Sequence, residues 1–198
     1  MGNNRIIPVH IGLPIEDQAD ALRYAAKHID ESGLGFMGHV TVEHKRAGKI
    51  IYRETGKNLF TIEGRAFILG VLFAAVDKPS DIYMGIFKNN VTPAAADTAA
   101  KLGAGNAYGE CQDADYDPAT NRPAYTGVVT DNECTNEAAK AEFVIKQGIT
   151  VYGAFLTDYQ PKTSTSGVLL CAKRFDNSRA VIADDELAVK YKITATSS

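Results

Sequence analysis

The chain has 198 residues, of which 45% are hydrophobic and 23% are charged, a composition typical of a globular domain rather than of a disordered chain. Its formal net charge of -3 argues against a general nucleic-acid binder, which needs a basic surface to displace counterions. No run approaches the ~18 apolar residues of a membrane-spanning helix, so we expect neither a nucleic-acid nor a membrane partner.

The cysteines predict the compartment in which the chain folds. Cys111, Cys134 and Cys171 are an odd number, lie far apart and form no CxxC motif, so a disulfide framework is not expected. The first residues also lack the basic region and long apolar stretch of a signal peptide. These features predict a protein made and folded in a cytoplasm.

The section 1–38 differs from the rest of the chain. An extended opening with Pro8 and Pro14 is followed by a segment whose apolar residues recur at alternating spacings of four and three: Ile15, Ala19, Leu22, Ala26 and Ile29. That spacing puts them on one face of a helix, and Gly33 is a typical end signal. We therefore predict an N-terminal arm plus amphipathic helix over 1–38, attached to a main domain over 39–198.

The main domain shows the period of two that is typical of strands with one buried face. Val40 and Val42 share a face, and the AGK turn followed by IIYRET predicts a hairpin. The same pattern recurs in DIYMGIFK, AKAEFVIK, ITVYGAFLT, GVLLCAKRF and ELAVKYKIT, with the inward residues Ala141, Phe143, Ile145, Leu187, Val189, Tyr191 and Ile193. The fold class is therefore predicted to be mainly β, an antiparallel β-sandwich of the jelly-roll or immunoglobulin-like type.

The sandwich is predicted to carry two or three short helices besides the N-terminal one, and two of them are placed early in this domain. Thr61 can cap a helix in NLFTIEGRAFILGVLFAAV, although the apolar run also suits a strand and is expected to be buried in either conformation. In TPAAADTAAKLG, Thr92 is placed as N-cap, Pro93 as first helical residue and Gly103 as the end signal.

Several short motifs resemble cofactor or metal sites, but the secondary structure predicted around them does not suit that function. Gly33, Gly35 and Gly38 spell GxGxxG, but they follow a predicted helix and precede a strand, the reverse of a dinucleotide site, and are interpreted as a hinge. His39 and His44 lie on opposite faces of a strand and cannot share a metal ion. No motif for a nucleophile, a zinc protease or a phosphate loop is present, so no catalytic residue and no cofactor are predicted.

The acidic run DADYD resembles the start of a calcium-binding loop. Asp113, Asp115 and Asp117 have the required spacing, but Pro118 and Ala124 stand where such a loop needs glycine and glutamate. A solvated turn is favoured over a cation site.

The loop DYQPKTSTSG, residues 158–167, is the remaining candidate site. A long hairpin connection kept soluble by hydroxyl groups explains it, and so does a contact surface on a rigid scaffold. The candidate contact residues are Tyr159, Lys162, Thr163, Ser164 and Thr165.

The order of segments from Val40 to Thr194 resembles a group of small structural proteins of tailed bacteriophages and prophages. The matching positions are Asn58, Leu59, Thr61, Glu63 and Gly64; Tyr116, Asn121, Arg122, Pro123 and Tyr125; Tyr152, Gly153, Ala154, Phe155 and Leu156; and Asp185, Val189 and Tyr191. The chain departs from the group at Tyr125, where tryptophan is expected, and the section before Gly38 is additional.

The resemblance implies a non-enzymatic virion component that acts by binding. Within that class we expect a capsid cement or decoration protein on the capsid exterior, bound to the major capsid protein and associated with itself, as a homotrimer. The arm would anchor it through Ile6, Ile7, Val9, Ile11, Leu13, Ile15, Leu22 and Ile29, unless the arm folds back on its own domain.

Two alternatives remain open at this stage. A tail, collar or fibre-associated protein would direct the polar loop at a host receptor. A small hydrolase or carbohydrate-binding module would instead need an acid pair or an exposed aromatic platform, for which Tyr108, Tyr116 and Tyr125 are the candidates.

Overall fold

The computed structural model describes residues 34–197, so the predicted arm anchors and the amphipathic helix lie outside the described residues. The described chain is mainly β, with 48% of residues in strands arranged as two antiparallel sheets. This confirms the prediction of an antiparallel β-sandwich. Within residues 34–197, no helix is long and apolar enough to cross a membrane.

The first sheet has seven strands. Its main path runs through β2 (Lys49–Lys57), β1 (Leu34–Arg46), β11 (Glu186–Ser197), β7 (Glu133–Thr135) and β6 (Val128–Thr130). Two further strands, β5 (Tyr116–Asp117) and β8 (Ala141–Ile145), join through pairing of β8 with β11. The second sheet contains β3 (Leu59–Phe60), β10 (Leu169–Val181), β9 (Ile149–Thr157) and β4 (Tyr83–Phe87), in that order.

The predicted hairpin is formed by β1 and β2. Arg46 pairs with Lys49, and the two residues between them, Ala47 and Gly48, have φ angles of 49° and 74°. Positive φ at both central positions is the type I′ geometry that matches the twist of paired strands. Gly35 and Gly38, interpreted as part of a hinge, lie in β1, which begins at Leu34.

The period-two pattern correctly placed the core residues of the first sheet. Ala141, Phe143 and Ile145 are buried on β8, and alternate residues of β11 are buried at Leu187, Val189 and Tyr191, with Ile193 half-buried. They pack with residues of β4, β9 and β10 in one large apolar cluster.

The second sheet is buried on both faces. Met84 and Ile86 of β4 belong to the large cluster, whereas Phe87 packs with Phe155 and Tyr108 in a second cluster. That second cluster includes the segment around the 3₁₀-helix Ala99–Lys101. A strand covered on both sides has no polar face, which is why β4 is apolar along its length.

Thr61 begins a helix, as the sequence indicated. In α1 (Ile62–Phe73) the Thr61 hydroxyl accepts a hydrogen bond from Gly64 N at 2.9 Å. The expected burial of the apolar run is wrong, because Gly64 is the buried residue of α1 and Leu69, Leu72 and Phe73 are exposed. A Cβ on Gly64 would lie 2.2 Å from Leu170 O, so the helix meets β10 closely on that side.

The prediction of a second helix, over the segment from Thr92 to Gly103, is wrong. Between Thr92 and Gly103 the structure has a turn and then only the three-residue 3₁₀-helix. The Asp97 carboxylate accepts hydrogen bonds from Ala94 N and from the Tyr108 hydroxyl, both at 2.8 Å. A side chain that bonds its own backbone in this way competes with helical hydrogen bonds, so the alanine-rich composition does not decide the conformation.

Candidate contact loop

The contact loop, residues 158–167, connects β9 to β10 and is closed by its own side chains. Asp158 Oδ1 accepts a hydrogen bond from Val168 N at 2.6 Å, which joins the two ends of the loop. Within it, Ser164 Oγ accepts from Ser166 N at 3.1 Å. The two ends of the loop are therefore held close together where they join β9 and β10.

A buried ion pair holds the loop from beneath. Arg122 Nε and Nη2 each donate to the Glu110 carboxylate at 2.7 Å, and both side chains are 0% exposed. Arg122 also donates to two loop carbonyl oxygens, those of Tyr159 at 2.6 Å and Ser164 at 3.2 Å. Its guanidinium lies 5.3 Å from the centre of the Phe155 ring. One arginine thus fixes the loop at two points.

Glu110 fixes a third point. Its Oε2 accepts a hydrogen bond from Thr163 N at 2.8 Å. Burial raises the pKa of the Glu110 carboxyl, and the bonds from Arg122 and from the Thr163 amide oppose that rise. A buried polar network whose members are mutually satisfied holds its parts in one arrangement, so the loop backbone is organised before any partner binds.

Lys162, predicted as a contact residue, is instead turned into the protein. Its Nζ donates to Tyr116 O at 3.0 Å and lies 3.5 Å from the centre of the Tyr116 ring and 3.5 Å from Asp113 Oδ1. Burial lowers the pKa of its ammonium group, an effect opposed by Asp113. Lys162 is therefore a loop anchor within this chain and not part of its exposed surface.

The other predicted contact residues are partly or fully exposed. Tyr159 and Thr165 are exposed, and Thr163 and Ser164 are half-buried. Beside them lies a cleft of about 380 Å³ that is lined by Gln112, Asp113, Ala114, Thr120, Lys162 and Thr163. The surface that the loop presents is thus one aromatic ring and a row of hydroxyl groups, and its role in contacts stays a prediction.

The three aspartates of DADYD have separate partners. Asp115 is buried and accepts hydrogen bonds from Lys88 and Gln147, both at 2.8 Å, so the interpretation as a solvated turn is wrong for this residue. Asp113 and Asp117 are about half exposed and face Lys162 and Lys146. Within residues 34–197, no group of three His, Cys, Asp or Glu side chains is placed to hold a metal ion.

The histidines of β1 are likewise separate. His44 is buried, with Nε2 at 2.9 Å from Asp185 Oδ2 and Nδ1 at 3.2 Å from Arg179 Nη2, whereas His39 is half-buried. Asp185 also accepts two hydrogen bonds from Arg46, both at 2.7 Å. This cluster ties β1 to the turn before β11.

The aromatic platform considered for a carbohydrate-binding module is not formed. Tyr108 and Tyr116 are fully buried, and Tyr125 is half-buried with its hydroxyl donating to Cys134 O at 3.0 Å. These rings belong to the core and its margin, so the three candidate tyrosines do not form the exposed platform that the carbohydrate-binding alternative would need.

Sequence reasoning missed Glu110 and Arg122 as site residues. Both lie in a stretch rich in turn formers, and Arg122 was named only among the positions that resemble the phage group. Their pairing spans 12 positions, and their bonds to the contact loop span up to 53. No periodic pattern connects such positions, so no sequence signal marked them.

The comparisons with known proteins identify no relative. The chain matches no family model, and it has no significant similarity to a curated protein or to a solved structure. Inference about its function therefore depends on its own motifs and on the geometry of the contact loop.

Proposed function

We propose that this protein is a non-enzymatic structural protein of a tailed-phage virion. In this role it binds the outer face of the major capsid shell as a cement or decoration protein and strengthens the shell as a homo-oligomer. The observation that carries the binding role is the contact loop held in shape by the buried Glu110–Arg122 pair. The virion assignment comes from the sequence motifs.

A loop that is already organised binds at lower cost. Ordering a flexible loop on association costs free energy, and that cost is absent when the free protein has the bound shape. Here two carbonyl oxygens and one amide of the loop are bonded to buried side chains. The exposed ring of Tyr159 and the neighbouring hydroxyl groups suit recognition without chemistry.

Two further properties fit the capsid exterior. The net charge of -3 suits a surface directed away from packaged DNA better than one in contact with it. The predicted arm would add a second attachment to a neighbouring subunit, and several weak attachments in one oligomer gain through effective concentration.

Co-sedimentation with expanded phage capsids that lack this protein tests the proposal. We expect the full-length protein to bind at a fixed ratio to capsid subunits. The double variant Tyr159→Ala, Thr165→Arg should bind at least about tenfold more weakly, because it changes exposed loop groups and leaves the buried anchors in place. The arm variant Ile7→Asp, Ile11→Asp should also bind more weakly.

A matched control is Ser178→Arg, which adds the same charge as Thr165→Arg at an exposed position of β10 outside the contact loop. This control should bind like the natural protein. Absence of binding by the natural protein would contradict the capsid assignment and direct the same assay to tail and portal complexes. Equal binding by the loop variant and the control would remove the loop from the interface.

A further inference from the structure

The outer face of α1 carries a regular apolar stripe. Ile62, Ala66, Leu69 and Phe73, called the α1 stripe from here on, follow one another at spacings of four, three and four residues. The three larger residues of the stripe are exposed to solvent: Ile62 by 56%, Leu69 by 49% and Phe73 by 76%. Spacings of four and three repeat along one side of a helix and are the pattern by which helices pack against each other.

The helix is apolar around most of its circumference. Its charged residues are Glu63 and Arg65, and Glu63 is directed inward, where it accepts hydrogen bonds from Ala99 N at 3.0 Å and Leu169 N at 2.8 Å. Arg65 is therefore the one charged residue of α1 on its exposed side. A helix that is apolar all round is typical of a position covered on all sides, and an exposed apolar patch of this kind marks an interaction surface.

The exposed apolar surface continues beyond the stripe. Leu72 and Val76 are also exposed, and an apolar groove of about 480 Å³ lies beside the helix, lined in part by Phe67, Ile68 and Val71. A stable interface buries about 800 Å² on each partner, and these side chains supply roughly half of that. The groove adjoins the helix, since Phe67, Ile68 and Val71 line it, and so extends the apolar surface on this side of the protein.

We propose that the α1 stripe packs against the α1 stripe of a second copy of this chain, with the two helices antiparallel about a twofold axis. In this register Ile62 of one copy faces Phe73 of the other, and Ala66 faces Leu69. Each contact occurs twice, as a self-complementary twofold interface requires.

The order of side-chain sizes favours the antiparallel arrangement. A small residue opposite a large one allows two helices to approach evenly, and Ala66 against Leu69 provides this at the centre of the stripe. A parallel arrangement would place Ala66 on Ala66, Phe73 on Phe73 and Arg65 near Arg65. That would leave a gap, a crowded layer and two like charges close together.

The choice of a second copy follows from this self-complementarity. A lipid surface is less favoured because an interfacial helix carries many basic residues along its polar face, whereas α1 has Arg65 alone. The twofold pairing differs from the trimer implied by the resemblance, so the number of subunits distinguishes the two. The pairing does not rest on capsid binding.

Sedimentation velocity of the full-length protein over a concentration series tests the pairing. We expect a monomer–dimer equilibrium that Leu69→Glu weakens at least about tenfold, because each copy would bury a carboxylate at the centre of the interface, and an ion pair with Arg65 one turn away does not repay the desolvation of both groups. Phe73→Ser should weaken it as well. The matched control Val129→Glu places the same charge at an exposed valine on β6 and should leave the equilibrium unchanged.

Circular dichroism should show the same spectrum for all three variants, since each changes a side chain that is exposed in the single chain. A monomer at every concentration, a three-subunit species, or a dimer insensitive to Leu69→Glu would each overturn the proposal. If the natural protein dimerises as expected but does not co-sediment with capsids, the capsid assignment alone is contradicted.

Cross-linking tests the direction of the helices independently. Chains with Ala66→Cys and chains with Leu69→Cys are mixed and oxidised, and we expect disulfide-linked pairs of one chain of each kind. A sample of Ala66→Cys alone should cross-link poorly, because its two thiols do not face each other. Efficient cross-linking of Ala66→Cys alone would show a parallel arrangement and would overturn the antiparallel one.

Discussion

At the scale of single residues, Arg122 is the side chain on which the contact loop depends most. It is fully buried and bonds Glu110 and two loop carbonyl oxygens. Arg122→Ala leaves the Glu110 carboxylate buried without its partner, a change that typically costs about 3–5 kcal/mol. Urea unfolding followed by circular dichroism should show a loss of stability of that size.

A matched pair of variants isolates the cause. Replacing both partners, as Glu110→Leu with Arg122→Leu, should recover part of the loss because no buried charge stays unpaired. Arg174→Ala removes an arginine at an exposed position and should change stability by less than about 0.5 kcal/mol. An Arg122→Ala variant as stable as Arg174→Ala would contradict the anchoring role.

Asp185 predicts a dependence of stability on pH. Hydrogen bonds from Arg46 hold the pKa of its carboxyl well below the usual value, and burial opposes them. Because the folded-state pKa is the lower one, this group stabilises the protein above the unfolded-state pKa of about 3.9, and the contribution is lost as pH falls through the folded-state value.

The comparison of Asp185→Asn with the natural protein tests this directly. The variant lacks the carboxylate, so it should be less stable at about pH 5 and its deficit should shrink as pH is lowered below about 4. Urea midpoints measured at each pH provide the two curves. A deficit that stays constant over this range would show that Asp185 contributes no pH-dependent stability.

At the scale of elements, the turn between β1 and β2 can be improved. Ala47 has a φ of 49°, a left-handed conformation that costs a residue with a Cβ roughly 1–2 kcal/mol, and Asn tolerates it better. Asn-Gly is the preferred pair for this turn. Ala47→Asn should therefore raise the free energy of unfolding by roughly 0.5–1 kcal/mol.

Ala47→Val provides the opposite test, because a β-branched residue fits a positive φ poorly. It should lower the free energy of unfolding in the same urea experiment. If both variants unfold at the same urea concentration, the turn conformation does not limit the stability of the hairpin.

The two early helices show what local sequence can decide. The Thr61 hydroxyl caps the helix by accepting a hydrogen bond from Gly64 N, an apolar run follows it, and α1 forms as indicated. The helix signals around Thr92 are equally good. There, however, the Asp97 carboxylate accepts hydrogen bonds from Ala94 N and from the Tyr108 hydroxyl, and these bonds stabilise a turn. Tyr108 lies 11 positions away, and its burial in the second apolar cluster favours the turn over the helix.

At the scale of the whole molecule, the cysteines report on global unfolding. Cys111 and Cys171 are fully buried, and burial raises the pKa of Cys171 to about 12 and raises that of Cys111 as well. Cys134 is half-buried at the margin of the core. The native protein should therefore expose at most one thiol to a small aromatic disulfide reagent at mildly alkaline pH.

The count of reactive thiols should rise to all three in concentrated guanidinium, and the two slow thiols should react only as fast as the molecule unfolds. The comparison needs no variant, because the unfolded chain is its own control. Rapid reaction of two or three thiols in the native protein would mean that the core opens far more easily than its burial indicates.

The longer strands and most of the core of the first sheet could be predicted from the amino-acid sequence alone, whereas the two- and three-residue strands β3, β5, β6 and β7 were not predicted. Val189, Tyr191 and Ile193 alternate with Lys190 and Lys192, because the apolar side chains of this half of β11 face the core and the lysines face its partly exposed side. A contrast between neighbouring residues of this kind is visible in the sequence itself. The hairpin of β1 and β2 was predictable for the same reason.

Only the tertiary structure decided which polar groups meet inside the molecule and which apolar groups remain outside. The pairing of Glu110 with Arg122, and of both with the contact loop, joins segments whose separation leaves no periodic trace in the sequence. The exposure of Phe73 depends on which sheet α1 packs against and by which side. Composition identifies a residue that favours burial, but the arrangement of distant elements decides whether it is covered.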